Sequence, residues 1–494
     1  MNTIYEFLTS SCKGNDMKIE DLQNKLQVSR TTLYRYMKGI NRITPDMAEK
    51  FIWALDMDAQ QSAEFSKYIS LSAFDQSLLE SRLVLDDFLF GKQQKPNPGF
   101  DIDMIFYNND KYLRTLKEIL GFIRTFGRKD AVQGEVKMLN CLDKNLFLLI
   151  SEHVENAFAA GSNFNVEHFV ALSETDYLQN TNSFTHIFPL IKYEKYKLYL
   201  REKETEDSIM HDSILVSVTY NENGAQVNQY FSINFYENGM PECATFNDSY
   251  IYSYLLRNYN NLKFTYQEVI KDYENMDFTY DIFLEMQKTG DSYLLKSNPC
   301  YNKVPAEVYQ SLMNRMSSYE RNELLTTLSG EEVDDASSAD AIDKVIQHLM
   351  KSVGEARTTG QTDVYSREGL VSFAQTGRLT DHIEQLPDFN RDEKRMVLEY
   401  LYKCSNEQGN NYTLYITESE MPCKDFILAA IKDFGLLIGY IYPELREGLW
   451  KMVTVKSSRL ASIFSDYLEN HIPVNHAMDK EKANSLLRDL LDEC

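Results

Sequence analysis

The sequence lacks the short motifs that mark common nucleotide-binding and catalytic sites. It contains no GxxxxGK(S/T), GxGxxG, HExxH or GxSxG stretch. Phosphate-binding loops, dinucleotide sites, zinc proteases and serine hydrolases therefore have no candidate segment. We expect a protein that is not an enzyme and that needs no cofactor.

Cysteine and histidine are scarce, with seven and eight residues in 494. No two cysteines have CxxC spacing, and their odd number argues against a disulfide framework, so reduced thiols in a cytosol are expected. His471 and His476 are five residues apart around Pro473, a spacing that favours a loop over a metal site. The sequence therefore predicts no metal centre.

Long apolar runs are also absent. The longest, 426–442, is interrupted by Lys432 and Asp433 and is too short to span a bilayer. The first residues lack the basic start and apolar core of a signal peptide. We therefore expect a cytoplasmic protein without membrane contact.

The charge is distributed unevenly along the chain. Residues 1–54 carry eight Lys/Arg and six Asp/Glu, a net +2; because the whole chain carries −23, the remainder carries −25. A polyanion such as DNA would be attracted only to the cationic start. The acidic remainder either suppresses non-specific DNA binding or serves only solubility.

Residues 17–57 carry the most informative pattern. Apolar spacing predicts a helix over 19–26, a short connection at 27–28, an N-cap at Ser29 and a second helix over 30–38 that ends at Gly39. A third helix starts at Pro45, with Met47, Phe51, Trp53, Ala54 and Leu55 packing beneath. The second helix and the loop after it present groups that can contact bases or phosphates: Ser29, Arg30, Thr31, Thr32, Tyr34, Arg35, Lys38, Asn41 and Arg42.

This stretch resembles the Cro/C1 (lambda-repressor-like, XRE) helix-turn-helix family over about 70 residues. The resemblance rests on Leu22, Val28, Ser29, Leu33, Tyr36, Gly39 and Ala54-Leu55. It implies that the second helix reads the major groove, usually from a dimer on a near-palindromic site. The sequence departs from the family pattern at Gln23, where alanine is usual, and at Gln27, where the turn usually has glycine.

The rest of the chain predicts two further domains. GKQQKPNPG at 91–99 and SGEEVDDASSAD at 329–340 are breaks, which divide the chain into a helix-turn-helix domain (1–90), a mixed α/β domain (100–328) and a C-terminal α/β domain (341–494). The expected class is multidomain and mainly α with α+β: an all-α bundle, then helical and mixed regions with an antiparallel sheet at about 184–246. Further helices are predicted at 111–126, 146–158, 341–353 and 422–434.

Two features of these domains leave alternatives open. The predicted sheet contains an Asn223-Gly224 hairpin and many tyrosines, which either line a ligand pocket or pack against a core or a dimer partner. The stretches 244–259 and 453–468 each predict the end of a strand, then a polar N-cap and an amphipathic helix. They indicate either two related units or a chance recurrence of a common pattern.

The favoured function is a sequence-specific DNA-binding transcriptional regulator of bacterial type. Its expected partners are double-stranded DNA, a second copy of the chain, and a small-molecule or peptide effector sensed by the large C-terminal body. The alternative is an interaction or scaffold protein whose helix-turn-helix domain docks a protein partner.

Overall fold

The structure, a computed structural model, describes most of the chain. The described residues are 4–14, 17–37, 43, 45–91, 131–140, 154–155, 158–159, 161, 163–202, 212–222, 225–235, 241–273, 290–300, 303–329, 360–379, 386–407, 411–418, 426–440 and 451–494. They form two compact units, one of residues 1–84 with 173–182 and one of 85–172 with 183–494.

The first unit is built from helices around one apolar core. The helices predicted over 19–26 and from residue 30 are confirmed, and the helix predicted to start at Pro45 begins there. Leu22, Leu33 and Phe51 are fully buried in its core, and Phe65 on the long fifth helix packs with them. The helices are α1 (Ile4–Gly14), α2 (Ile19–Leu26), α3 (Arg30–Met37), α4 (Pro45–Ala54) and α5 (Ala59–Phe90), and the last turns of α5, from Leu85, belong to the second unit.

The described residues of the second unit form two mixed sheets of seven strands each. The strand order of the first sheet is β6-β5-β4-β1-β2-β3-β7. β1, β2 and β3 run parallel, whereas β4, β5 and β6 follow as antiparallel hairpins. Its strands are β1 (Ala131–Leu139), β2 (Phe164–Ala171), β3 (Tyr196–Arg201), β4 (Ser213–Glu222), β5 (Ala225–Phe235), β6 (Pro241–Phe246) and β7 (Gln267–Glu268).

Six strands of the second sheet repeat this topology, while β8 adds antiparallel to β14 and has no counterpart among the described strands of the first sheet. Its order is β11-β10-β9-β12-β13-β14-β8. Strands β9, β10 and β11 are parallel, and β12, β13 and β14 are antiparallel. Its strands are β8 (Ile270–Tyr273), β9 (Ser292–Leu295), β10 (Gln361–Ser366), β11 (Tyr412–Thr417), β12 (Phe426–Ile431), β13 (Gly435–Tyr440) and β14 (Lys451–Val455).

The expected fold class is therefore wrong. The body of the chain is organised by two large mixed sheets, not by helical regions with one antiparallel sheet. The hairpin around Asn223-Gly224 was predicted correctly, since β4 and β5 pair in register up to Glu222 and Ala225. The alternation at 196–200 and 411–417 predicts two of the parallel strands, and β3 and β11 confirm them. The parallel pairing itself was missed because it joins strands across long crossover segments, which a local pattern does not show.

The two sheets are an internal structural repeat. In each, three parallel strands are followed by three antiparallel strands and then by a helix, and the first antiparallel strand pairs with the first parallel one. After that helix, β7 pairs antiparallel with β3, and Ala477 forms the equivalent antiparallel bridge with Thr417 of β11. The similar stretches 244–259 and 453–468 occupy the same place in the two repeats, which supports the interpretation as two related units.

Helices connect and flank these strands. Asp248 caps the helix after β6, and Ser457 caps the helix after β14, each accepting a backbone N–H from the first turn. The remaining helices are α6 (Tyr177–Ile187), α7 (Ser249–Leu262), α8 (Ala306–Arg315), α9 (Ser318–Ser329), α10 (Arg367–Thr376), α11 (Arg391–Asn406), α12 (Ser458–Asp466), a π-helical turn (Tyr467–His471), α13 (Ile472–Asn475) and α14 (Lys480–Glu493).

Several predicted helices have other outcomes. The helix predicted at 422–434 is wrong, because β12 occupies Phe426–Ile431. Residues 111–126 and 341–353 lie outside the described residues, as does most of 146–158. None of the described helices combines the length and the apolar character needed to cross a bilayer.

Candidate nucleic-acid interface

The connection between α2 and α3 is a tight left-handed turn. Gln27 ends α2 with φ 55° and ψ 38°, and its backbone N–H donates to the carbonyl of Asn24. The backbone N–H of Val28 donates to the carbonyl of Gln23. A glycine is favoured at such a position because a Cβ is strained there. Gln27 therefore departs from the usual residue, but the backbone geometry is the one a glycine would adopt.

Replacing Gln27 by glycine should stabilise this turn. Relief of the left-handed strain outweighs the greater freedom of glycine in the unfolded chain, and the net gain should be about 0.5–1 kcal/mol. Hydrogen exchange of residues 19–37 in the full chain should then slow by about two- to fivefold. Gln23→Gly, inside α2, should cost about 1 kcal/mol and speed exchange. If Gln27→Gly sped up hydrogen exchange as much as Gln23→Gly does, this account of the turn would be contradicted.

Ser29 precedes α3 and caps its first turn, as predicted. Its hydroxyl accepts the backbone N–H of Thr32 at 3.1 Å, and the two side-chain oxygens are 2.7 Å apart. This bond satisfies one of the free N–H groups of the first turn. The Thr32 hydroxyl is already engaged with Ser29 in the cap. Its contribution to the start of the helix therefore does not depend on DNA.

The two sides of α3 differ in burial and in charge. Leu33 and Met37 are fully buried, and the ring of Tyr36 packs edge-on to Phe51. The opposite side is exposed, and residues 29–37 include two arginines and no acidic residue. α3 therefore presents a cationic face whose position is fixed by the core behind it.

The predicted contact residues have different positions in the structure. Ser29, Arg30, Thr31 and Arg35 are exposed, and Thr32 and Tyr34 are half-buried. Residues 30, 31, 34 and 35 follow helical spacing and share one side of α3. Lys38, Asn41 and Arg42, the remaining predicted contacts, lie outside the described residues.

One packing prediction near this face is wrong. Phe51, Ala54 and Leu55 are buried and Met47 is half-buried as expected, but the Trp53 side chain is 73% exposed. Trp53 follows the buried Phe51 by two positions, which turns it to another side of the helix. The apolar character of the residue suggested burial, although helical periodicity does not require it.

The second unit contains a fully buried histidine in the first sheet. His168 of β2 lies 2.8 Å from the Tyr196 hydroxyl through Nδ1 and 2.7 Å from the Asn140 carbonyl through Nε2. A carbonyl only accepts, so Nε2 carries the proton and Nδ1 accepts from Tyr196. Burial lowers the pKa of His168 to about 4. The ring is neutral at pH 7 and links β2 to β3 and to the residue that follows β1.

Lowering the pH should destabilise the protein through His168. An unfolded histidine takes up a proton near pH 6.5, whereas the folded ring does so only near pH 4, so stability falls as the pH drops between these values. From pH 7 to pH 5 this loss should be about 2 kcal/mol. His168→Gln should remove this part of the pH dependence in urea unfolding. Tyr196→Phe should lower stability at both pH values but retain the pH dependence.

Comparison with known proteins gives little further information. No family model matches the chain, and no curated protein matches it. Among solved structures, the crystal structure of polyphosphate kinase from Porphyromonas gingivalis matches with a TM-score of 0.21 and 9% sequence identity. The match covers 76% of this chain and 54% of that chain, so this chain spans about half the length of the kinase it matches. Similarity at this level carries no argument about fold or activity.

Proposed function

We propose that the chain is a sequence-specific DNA-binding transcriptional regulator whose α3 enters the major groove. The observation that carries this proposal is the exposed side of α3, where Arg30, Thr31 and Arg35 project from a helix held by a buried core. Arginine can bond guanine O6 and N7 together, and threonine can contact base edges or a thymine methyl. This side of α3 therefore carries the side-chain types that recognise base edges in the major groove.

The neighbouring elements favour the same function. α2 and α3 are joined by a short turn, and Ser29 at the start of α3 is exposed, close to where a DNA backbone would pass beside a groove-reading helix. The resemblance to Cro/C1-type helix-turn-helix proteins suggests that the protein acts as a homodimer on a near-palindromic site. The large second unit then supplies dimer contacts or senses an effector.

Selection from a random double-stranded DNA library tests this proposal. The full-length protein should enrich a common motif, and affinity for that motif should fall steeply with added salt because bound phosphates release counterions. The alternative is a first unit that docks a protein partner. That alternative predicts no enriched motif, which would overturn the assignment.

A further inference from the structure

Two histidines and an aspartate converge in the second unit. His476 Nε2 lies 2.5 Å and His471 Nε2 lies 3.2 Å from the same Oδ1 of Asp86. The donor atoms of the three side chains all lie within 4.8 Å of one another. Asp86 is separated from the two histidines by 385 and 390 positions, so only the fold brings them together.

The chain between the histidines is shaped to aim both rings at one point. His471 is the last residue of the π-helical turn, and α13 with Pro473 near its start follows before His476. The expected loop is thus helical. Aromatic neighbours fix the rings, since Phe90 stacks on His476 at 4.1 Å between centroids and Tyr467 stacks on His471 at 5.1 Å. Single π-helical turns of this kind are frequent at functional sites.

We propose that Asp86, His471 and His476 bind a divalent transition-metal ion, with Zn²⁺ as the best match. Two imidazoles and a carboxylate form a three-ligand set that leaves a fourth tetrahedral position for water. Zinc ligands at 2.0–2.2 Å place donor atoms about 3.3 Å apart. His471 Nε2 already lies 3.2 Å from Asp86 Oδ1, whereas His476 Nε2, at 2.5 Å, would have to move outward to admit the ion.

The surroundings fit a metal site better than a simple hydrogen-bonded cluster. The hydroxyl of Tyr467 donates to Asp86 Oδ1 at 2.8 Å, the kind of outer contact that orients a liganding carboxylate. Both histidine side chains are 13% exposed and Asp86 is 32% exposed, so an ion can enter from solvent. Imidazole ligands favour Zn²⁺ over Mg²⁺ and Ca²⁺, which prefer all-oxygen sites.

A bound ion would link two segments of the second unit that are distant in sequence. Asp86 lies near the end of α5, and the histidines lie close to the carboxyl end of the protein. An ion held by both would stabilise the folded state in proportion to its concentration over its dissociation constant. The site does not involve α3, so it does not depend on the proposed DNA binding.

Metal titration of the chelator-treated full chain tests the site. Calorimetry should give one Zn²⁺ per chain, Co²⁺ should produce the visible absorption of a tetrahedral complex, and Mg²⁺ should do neither. Asp86→Asn, which keeps a hydrogen-bond acceptor, should weaken Zn²⁺ binding at least tenfold and abolish the Zn²⁺-dependent rise in melting temperature. Asp87→Asn, with the same charge change on the exposed neighbour, should leave both unchanged.

A second measurement uses the unsubstituted protein, so it does not depend on whether Asp86→Asn folds. X-ray absorption of the Zn²⁺-loaded chain should show two imidazole ligands. Fewer than two imidazoles, or equal Zn²⁺ affinity in Asp86→Asn and Asp87→Asn, would overturn the proposal.

Discussion

Substituting Arg30 and Arg35 together by alanine should reduce affinity for the selected DNA motif by ~30-fold to ~10⁴-fold. Each arginine that bonds a guanine edge with two N–H groups contributes about 1–3 kcal/mol of discrimination, and two such contacts multiply in the binding constant. Both side chains are exposed and lie on the side of α3 opposite the core, so their removal should not affect folding. Fluorescence anisotropy with labelled duplex measures the change.

The control must remove the same charge from the same unit. Lys13 and Lys50 are exposed and lie on α1 and α4, and their double alanine variant should lose affinity modestly and equally for the selected motif and a scrambled duplex. The arginine variant should lose most of its preference for the motif over the scrambled duplex. Similar behaviour of the two variants would mean that α3 contributes charge but does not read sequence.

The first unit was predictable because its determinants are local. The spacing of Leu22 and Leu26, the cap at Ser29 and the start of a helix at Pro45 all act within a few residues, and the structure has these elements where the pattern placed them. The β4–β5 hairpin was predictable for the same reason. The burial of individual side chains was harder to predict than the helices themselves, and the prediction for Trp53, which is exposed, was wrong.

The sheets were not predictable at the same level because their determinants are distant. Almost every residue of β12 is buried, so this strand lacks the polar alternation that identifies a strand with one exposed face. The run Phe426–Ile431, with two alanines, therefore read as a helix. Parallel pairing of β1 with β2 depends on a connection of more than twenty residues, which no short window reveals.

The candidate metal site was missed for a related reason. The sequence interval between His471 and His476 argued for a loop, and nothing near them suggested a third ligand. The missing information was the position of Asp86, which the fold supplies from a helix at the other end of the chain. Metal sites assembled from distant segments have no spacing signature.

Arg315→Ala should be strongly destabilising because it leaves a buried carboxylate without its cation. Glu393 is 1% exposed, and Arg315 contacts both of its oxygens, at 2.6 and 3.2 Å. Glu393 also accepts from the Ser311 hydroxyl and from the backbone of Asn390, where it completes the cap of α11. Loss of one partner of a buried pair costs about 3–5 kcal/mol; because Arg315 is partly exposed, about 2–4 kcal/mol is expected here.

A double variant separates the effect of the charge from that of packing. Arg315→Met with Glu393→Gln keeps the shape and the cap but removes both charges, so it should recover much of the stability lost in Arg315→Ala. Arg395→Ala breaks an exposed pair with Glu399 on the same helix and should cost less than about 0.5 kcal/mol. Urea unfolding, with hydrogen exchange in α8 and α11 as a local readout, measures all three. If the double variant were as unstable as Arg315→Ala, the loss would come from the missing hydrogen bonds of Arg315, because the double variant keeps the packing and has no stranded charge.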